Sequence, residues 1–521
     1  MVLLKSEFRP LAVALSEDKE MGLKGWLLGP KGSDKNARAW EGEKATGPPE
    51  LEKKRIAVLP FANMSLDPAD GYLADGMTEE LITELAGIGE LSVIARTSVM
   101  KYRGSPKGAS EIGKELKAGT LIEGSVRKAG NKVRVTVQLI DARNEDHMWA
   151  QNYDKPLNDI FAIQSEIAER VADELKIKLF EPGRRSLKKE PTKSADAHLL
   201  YLKGRHYWNE RTDEGMKEAI ECFNLSITTD PNFALGYSGL ADCYYAMAHN
   251  YQADPKPTYL LAKQSALKAL DFDHDLAEAH TTLAGVMFNC EHQWGPAEEE
   301  FKLAIKLSPS YASAHQWYHN LLLFQRRFGE AESEIRRALE LDPFSVIINA
   351  CYFLFLYCRG DFDEAISQYR RILEIEPSSR FAFFTLHNPM WSFPFVKKEM
   401  FEEALREIDR IASLPGKTNF AKLARGYVYA AMGRSDESRE LLREAAANSH
   451  LERLSQYAFA RAYFLLGDNE IGLQWMQKGY EGLEGLLFFP ADFELSSLMS
   501  DPAYLDALKK MGLDRILSRS R

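Results

Sequence analysis

"EIRRALELDP" occupies positions 334–343, and its neighbours repeat its shape. "EFKLAIKLSP" ends at Pro309, "QYRRILEIEP" at Pro377 and "CFNLSITTDP" at Pro231, while "SALKALDFDH" closes on His274. The stops are separated by 43, 35, 34 and 34 residues. A fixed period near 34 points to helix–turn–helix units, each too small to bury its own apolar face and therefore stacked into an array.

Aligned on the stops, the positions fall into register: Ala297, Phe301, Ala304; Ala331, Ile335, Ala338; Ala365, Tyr369, Ile372; Ala219, Phe223, Ser226; and Ala262, Ala266, Ala269. Small residues let the second helix of each unit approach its neighbours. The residue four positions after the first fills the gap between them, and the proline ends the helix. The long 43-residue interval holds its extra residues in "HNYQADPKP". First helices carry the complementary set: Tyr237, Leu240, Ala241 and Tyr244 match the W-x2-L-G-x2-Y pattern of the tetratricopeptide repeat (TPR). Later units stay in phase through Gly426, Tyr429, Ser438, Leu442 and Ala445, then Ala460, Tyr463, Gly472, Met476 and Gly479. A degenerate unit between them carries Leu386, Ala404 and Ile408, interrupted at Pro389 and Pro394. About eight units are expected over residues 195–497, followed by a capping helix and tail over 498–521.

Upstream the period changes. "RIAVLPFA" (55–62) and "LSVIAR" (91–96) read as strands. Between them Leu73, Met77, Leu81 and Leu85 mark an amphipathic helix over 71–88. Val133, Val135, Val137 and Leu139 alternate with polar residues in the second arm of a hairpin whose turn contains Gly130. A strand at 147–154 and a helix with Ile160, Ile163, Ile167, Val171, Leu175 and Leu179 on one face complete a compact domain over 54–180. Residues 1–52, rich in Gly, Pro and charge, read as a disordered lead-in. Residues 181–194, with two prolines and an excess of basic residues, read as a linker that keeps the surfaces of the two domains apart. The fold class expected is an α/β domain, a mixed sheet with flanking helices, followed by an all-α TPR superhelix.

Composition narrows the function. The chain has 521 residues, 45% apolar and 27% charged, typical of a globular protein with two or more domains. A net charge of −10 gives no basic footprint for nucleic acid. No stretch is long and apolar enough to span a bilayer. Five cysteines without a CxxC pair suit a reducing, cytoplasmic compartment.

Two stretches of the first domain, "IAVLPFANMS…YLADGMTEELITEL" and "LIEGSVRKAGNKVRVTVQLID…HMWAQNYD", resemble the TolB amino-terminal-like (FlgO-like) domain of prokaryotic proteins. That resemblance implies a domain that often precedes TPR arrays. It also implies relatives whose upstream effector is a nucleotide cyclase, a winged-helix DNA-binding domain or a kinase. The first 52 residues are too few for such an effector. The second function carried is therefore the sensory or regulatory region of such a protein, with its effector outside this chain.

Candidate chemistry is sparse. "GYLADGMT" (71–78) has G-x4-G-x-T spacing close to a phosphate-binding loop, but Met77 stands where the lysine would be, so a core-facing helix start is expected. His315 and His319 share a helix face as a metal pair would, yet "HQWYH" lacks the metalloprotease glutamate, and both coincide with packing positions. No catalytic, cofactor-binding or metal residue is assigned, and no enzyme activity is expected. By TPR geometry Arg205, Trp208, Asp242, Tyr245, Asn320, Phe324 and Tyr357 face the inner surface, where a protein or peptide partner would bind. The pairs Tyr201/Arg205 and Gln316/Asn320 do not match the Lys and Asn with which some TPR domains clamp a terminal carboxylate.

Overall fold

A computed structural model of the chain describes residues 51–177, 191–249, 253–376, 389–413, 416–448, 454–483, 498 and 500–510. The lead-in up to residue 50, most of the linker, Leu179, Leu386, Pro377 and the last eleven residues lie outside these.

The α/β domain is built on a mixed sheet. Its strands are β1 (Glu52–Val58), β2 (Ala62–Asn63), β3 (Ser92–Val93), β4 (Ala118–Ala129), β5 (Lys132–Asp141) and β6 (Asp146–Pro156). The order is β3-β1-β4-β5-β6, with β1 parallel to β3 and β4, β2 parallel to β4, and β4-β5-β6 antiparallel. The alternation read at 133–139 is real: Val133, Val135, Val137 and Leu139 are buried, and Gly130 takes positive φ in the turn. Four helices accompany the sheet: α1 (Gly71–Ala86), α2 (Arg96–Met100), α3 (Ala109–Leu116) and α4 (Ile160–Glu174). Leu73, Met77, Leu81 and Leu85 of α1 pack in one core with Ile160, Ile163, Ile167 and Val171 of α4. The strand expected over 91–96 is shorter, because Arg96 already begins α2.

Among the described residues, the chain beyond this domain is mainly helical. The first five units are α5 (Ala195–Glu210) with α6 (Asp213–Thr229), α7 (Ala234–His249) with α8 (Pro255–Phe272), α9 (Ala277–Asn289) with α10 (Trp294–Leu307), α11 (Ala312–Phe324) with α12 (Phe328–Leu341), and α13 (Val346–Arg359) with α14 (Phe362–Ile375). A short α15 (Phe393–Lys397) with α16 (Phe401–Ala412) forms the degenerate unit. Then come α17 (Thr418–Ala431) with α18 (Ser435–Ala447), α19 (Gln456–Leu465) with α20 (Asn469–Glu481), and a final α21 (Pro502–Lys510). Every small and bulky position aligned on the stops is buried, from Ala219 through Ile372. Successive first helices from α5 to α13 touch one another, so they line the inner side of the array.

The stops have a local cause beyond helix termination. Six residues after each of the four described stops, a polar side chain of the next first helix reaches back to the carbonyl of the stop itself. Tyr237 Oη donates to Pro231 O (3.2 Å) and Asn349 Nδ2 to Pro343 O (3.1 Å). His280 Nε2 lies 2.9 Å from His274 O, and His315 Nε2 lies 3.1 Å from Pro309 O. Each such contact satisfies a carbonyl that the ended helix leaves without an intrahelical partner.

The linker does not keep the two domains apart, contrary to expectation. The α/β domain packs directly on the repeats, and residues 51–521 form one compact unit. Its β3 edge meets the turns that carry two of the stops. Ser310 Oγ donates to Leu91 O (3.0 Å) and accepts from Val93 N (3.2 Å), and Ala95 N donates to Leu341 O (2.8 Å). Ser98 Oγ donates to Asp342 Oδ1 (2.5 Å) and accepts from Phe344 N (2.9 Å). The linker bounds chain order, but contacts between segments far apart in sequence decide the assembly. Among the described residues no helix is long and apolar enough to cross a membrane, and all five cysteines are free.

Candidate partner-binding face

The inner face begins where α1 lies against α5. Gly76 makes the close approach possible: a Cβ there would meet the Leu202 side chain at 2.7 Å, and Leu202 belongs to the α/β core. Gly76 of the loop-like motif is thus a packing glycine inside α1, and Met77 is fully buried, as a core-facing helix start requires.

Around this contact α1 presents acids and α5 presents bases. Arg205 Nε donates to Glu79 Oε1 (2.7 Å) and its Nη1 to Asp242 Oδ2 (2.9 Å). Asn209 Nδ2 donates to Glu79 Oε2 (2.8 Å), and Asp242 Oδ1 accepts from Thr282 Oγ1 (2.9 Å). His206 Nδ1 lies 3.0 Å from Asp75 Oδ2, and Arg103 pairs with the same carboxylate. His198, fully buried, lies 2.7 Å from Glu80 Oε1. One polar chain thus runs from α1 through α5 and α7 to α9. Burial opposes ionisation of Glu79, Asp242 and Arg205. At Glu79, Arg205 and Arg96 overcome burial and lower the carboxyl pKa. At Asp242 burial prevails over Arg205 and Thr282, and the pKa is raised. For Arg205 burial is outweighed by Glu79, Tyr201 and Asp242, which hold the guanidinium firmly protonated. Such a network fixes geometry more surely than it adds stability.

Trp208 is half-buried at this end, with the guanidinium carbon of Arg205 4.4 Å from its ring and that of Arg211 3.4 Å away. Tyr245 is buried further along. It stacks on Trp317 at 4.2 Å between centroids, and its hydroxyl accepts from Asn289 Nδ2 (2.9 Å). Gly285 lets the stack cross α9, since a Cβ there would come within 2.7 Å of both rings. Leu483, just beyond α20, joins the same cluster, so the last full repeat reaches back to the second and third.

Of the remaining inner-face candidates, Asn320 is half-buried and Phe324 and Tyr357 are buried. Asn320 and Gln316 hydrogen-bond Cys351. Phe324 is 2% exposed and packs with Phe288 and Trp294. Tyr357 is fully buried, and its hydroxyl accepts from Arg461 Nη1 (2.6 Å). The structure therefore brings Arg205, Trp208 and Asp242 together at one end, each half-buried. Tyr245, Phe324 and Tyr357 are packed between repeats. Glu79, Arg211 and Arg461 take part in these contacts and were not singled out from sequence.

His315 and His319 do not converge. Nδ1 of His315 lies 2.6 Å from Glu334 Oε2 while its Nε2 faces Pro309 O, and Nδ1 of His319 faces Ala331 O at 2.7 Å. Both nitrogens of His315 are engaged, and the buried Nε2 of His319 has no hydrogen-bond partner among the described residues.

Comparison with known proteins adds context. Residues 52–170 match the family model of the HilA/YgeH-like transcriptional regulator, second domain. The chain is similar to putative adenylate cyclase 3 of Rhizobium meliloti, with 34% identity over 50% of this chain and 44% of that protein. It is also similar to the transcriptional regulator HilA of Salmonella typhimurium, with 26% identity over 52% of this chain and 47% of that one. The chain thus spans somewhat less than half the length of these relatives. Among solved structures, a tetratricopeptide repeat protein from Parabacteroides merdae aligns over 53% of this chain and all of its own, at 14% identity and a TM-score of 0.37.

Proposed function

We propose that this chain is a non-enzymatic interaction scaffold of the cytoplasm. It binds a protein or peptide on the inner face of its TPR array, at the end where Arg205, Trp208 and Asp242 stand beside the α/β domain. The observation that carries this reading is the contrast along the inner face. Tyr245, Phe324 and Tyr357 are packed shut, whereas Trp208 is only half-buried among arginines. Tryptophan beside arginine is the composition of binding hot spots, where a few anchors carry most of the affinity. The resemblance of residues 54–180 to the TolB amino-terminal-like (FlgO-like) domain belongs to the same reading, with that domain forming one wall of the site. The test is affinity capture with mass spectrometry, using the full chain as bait beside Trp208→Ala. A partner retained by the first and lost from the second supports the reading. Equal retention by both removes the site from this face.

A second reading is favoured by one observation. The matched family model describes a second domain of a regulator, and the two relatives carry different roles, one a putative cyclase and one a transcriptional regulator. What this chain shares with them would then be a regulatory region that accompanies an effector. Immunoblotting the native product separates the two readings. A band well above 59.0 kDa favours the regulatory region, and a band at that mass favours the free scaffold.

A further inference from the structure

At the junction of α1 and α5 one arginine stands unmatched among the described residues. Arg103 pairs with Asp75, Arg96 and Arg205 reach Glu79, and Arg205 also holds Asp242. Arg211 follows α5 directly and has no carboxylate within ion-pair distance among the described residues. Its backbone sits in the left-handed region (φ 56°, ψ 32°), where glycine is favoured, and caps α5 by donating to Trp208 O. Solvent reaches the side chain, but its head lies 3.4 Å from the Trp208 ring in the concave junction. Crowding there and the like charge of Arg205 push its pKa down to about 10, against the distant pull of Asp242 and Glu79. The Trp208 indole Nε1 is buried with no acceptor. Both groups are donors without a matching acceptor.

A guanidinium laid on an indole leaves its edge free for the two-point hydrogen bonding that suits a planar oxyanion. Charge decides which oxyanion. The one unmatched arginine balances one negative charge, while Lys203, the other cation of α5 without an ion pair among the described residues, lies over the Tyr207 ring at 5.6 Å. A phosphate dianion would bring a second charge beside Asp242 and Glu79 with no free arginine to meet it, since Arg96, Arg103 and Arg205 are already paired. We infer that Arg211, laid on Trp208, is the anchor for a single carboxylate of the bound protein or peptide, supplied by an Asp or Glu side chain or by a free carboxy terminus. This rests on the scaffold reading above and names the chemistry that its inner-face site selects.

The experiment uses the full chain and a randomised synthetic decapeptide library. The library is prepared with free and with amidated carboxy termini and includes aspartate, glutamate and phosphoserine. Wild type is compared with Arg211→Gly, which suits the left-handed backbone and so keeps the fold, and with Arg211→Gln. Wild type is expected to enrich either Asp and Glu at one position in both preparations, or only peptides with free termini, which distinguishes the two sources. Either enrichment should fall about tenfold in both variants, the loss of one charge-assisted pair. Enrichment unchanged in both variants, or phosphoserine preferred over aspartate and glutamate, overturns the anchor. Retention without acidic preference overturns the anchor and leaves the scaffold standing. Retention of no peptide overturns both.

Discussion

Replacing Gly76 by alanine tests whether the α/β domain is seated on the repeats, because two effects of opposite sign compete there. Gly76 lies inside α1, where alanine favours the helix by about 1 kcal/mol. The new methyl, however, would meet Leu202 Cδ2 at 2.7 Å, and Leu202 is 1% exposed with little room to yield. Overpacking of this kind costs about 1–3 kcal/mol. The net expectation for Gly76→Ala is a loss of about 0–2 kcal/mol. Leu202→Ala alone should cost about 2–5 kcal/mol through the cavity it leaves. In the double variant the clash is gone and the helix gain returns, so the two changes should couple by about 1–3 kcal/mol in the stabilising direction. Urea unfolding of the full chain, followed by circular dichroism for all four proteins, measures this. Gly76→Ala stabilising by about 1 kcal/mol, with effects that add in the double variant, would refute the docking, since that is the behaviour of a glycine on a free helix.

Three further outcomes are expected. Ala338 is fully buried with Ala312, Ile335 and Ile348; Ala338→Leu should cost about 1–3 kcal/mol, and an unchanged urea midpoint and slope would remove the repeat register. Asp342 is buried, and burial prevails over the hydrogen bonds from Ser98 and Thr97 to raise its pKa from 3.8 to about 6. The folded state therefore holds this proton more tightly than the unfolded chain does, so its contribution is greatest below 3.8 and is lost as pH rises through about 6. That slope, about 2–3 kcal/mol in all, should be missing from the stability profile of Asp342→Asn. Because the contacts of His315 and His319 do not converge on a shared point, calorimetry should find zinc no tighter on wild type than on the His315→Ala/His319→Ala pair, and stoichiometric micromolar binding lost in the pair would reverse that assignment.

The repeats were legible because their evidence is local. A small residue, a bulky residue and a stop recur at one period, and the reason is visible in Asn349 and Tyr237 reaching back to Pro343 and Pro231. The hairpin and α1 were legible for the same reason, since alternation and a four-residue spacing each need one element alone. The docking was not. Ser98 with Asp342, and Ser310 with Leu91, join residues more than two hundred positions apart, and either serine alone reads as an ordinary polar residue. Asp75, Glu79 and Glu80 look like the solvated side of an amphipathic helix until Arg205, His206 and His198 are placed opposite them. The inner face was half legible. Phase offered candidates for the inner face, but not which of them the array closes over, because Leu483 packs with Tyr245 from far along the chain.

The most direct test of the partner-binding face is site-specific photocrosslinking. p-Benzoylphenylalanine at Trp208 is compared with the same probe at Leu260, which is 54% exposed on α8, a second helix outside the inner layer. A partner crosslinked from position 208 and not from position 260 is the result predicted here, and the reverse pattern would contradict it.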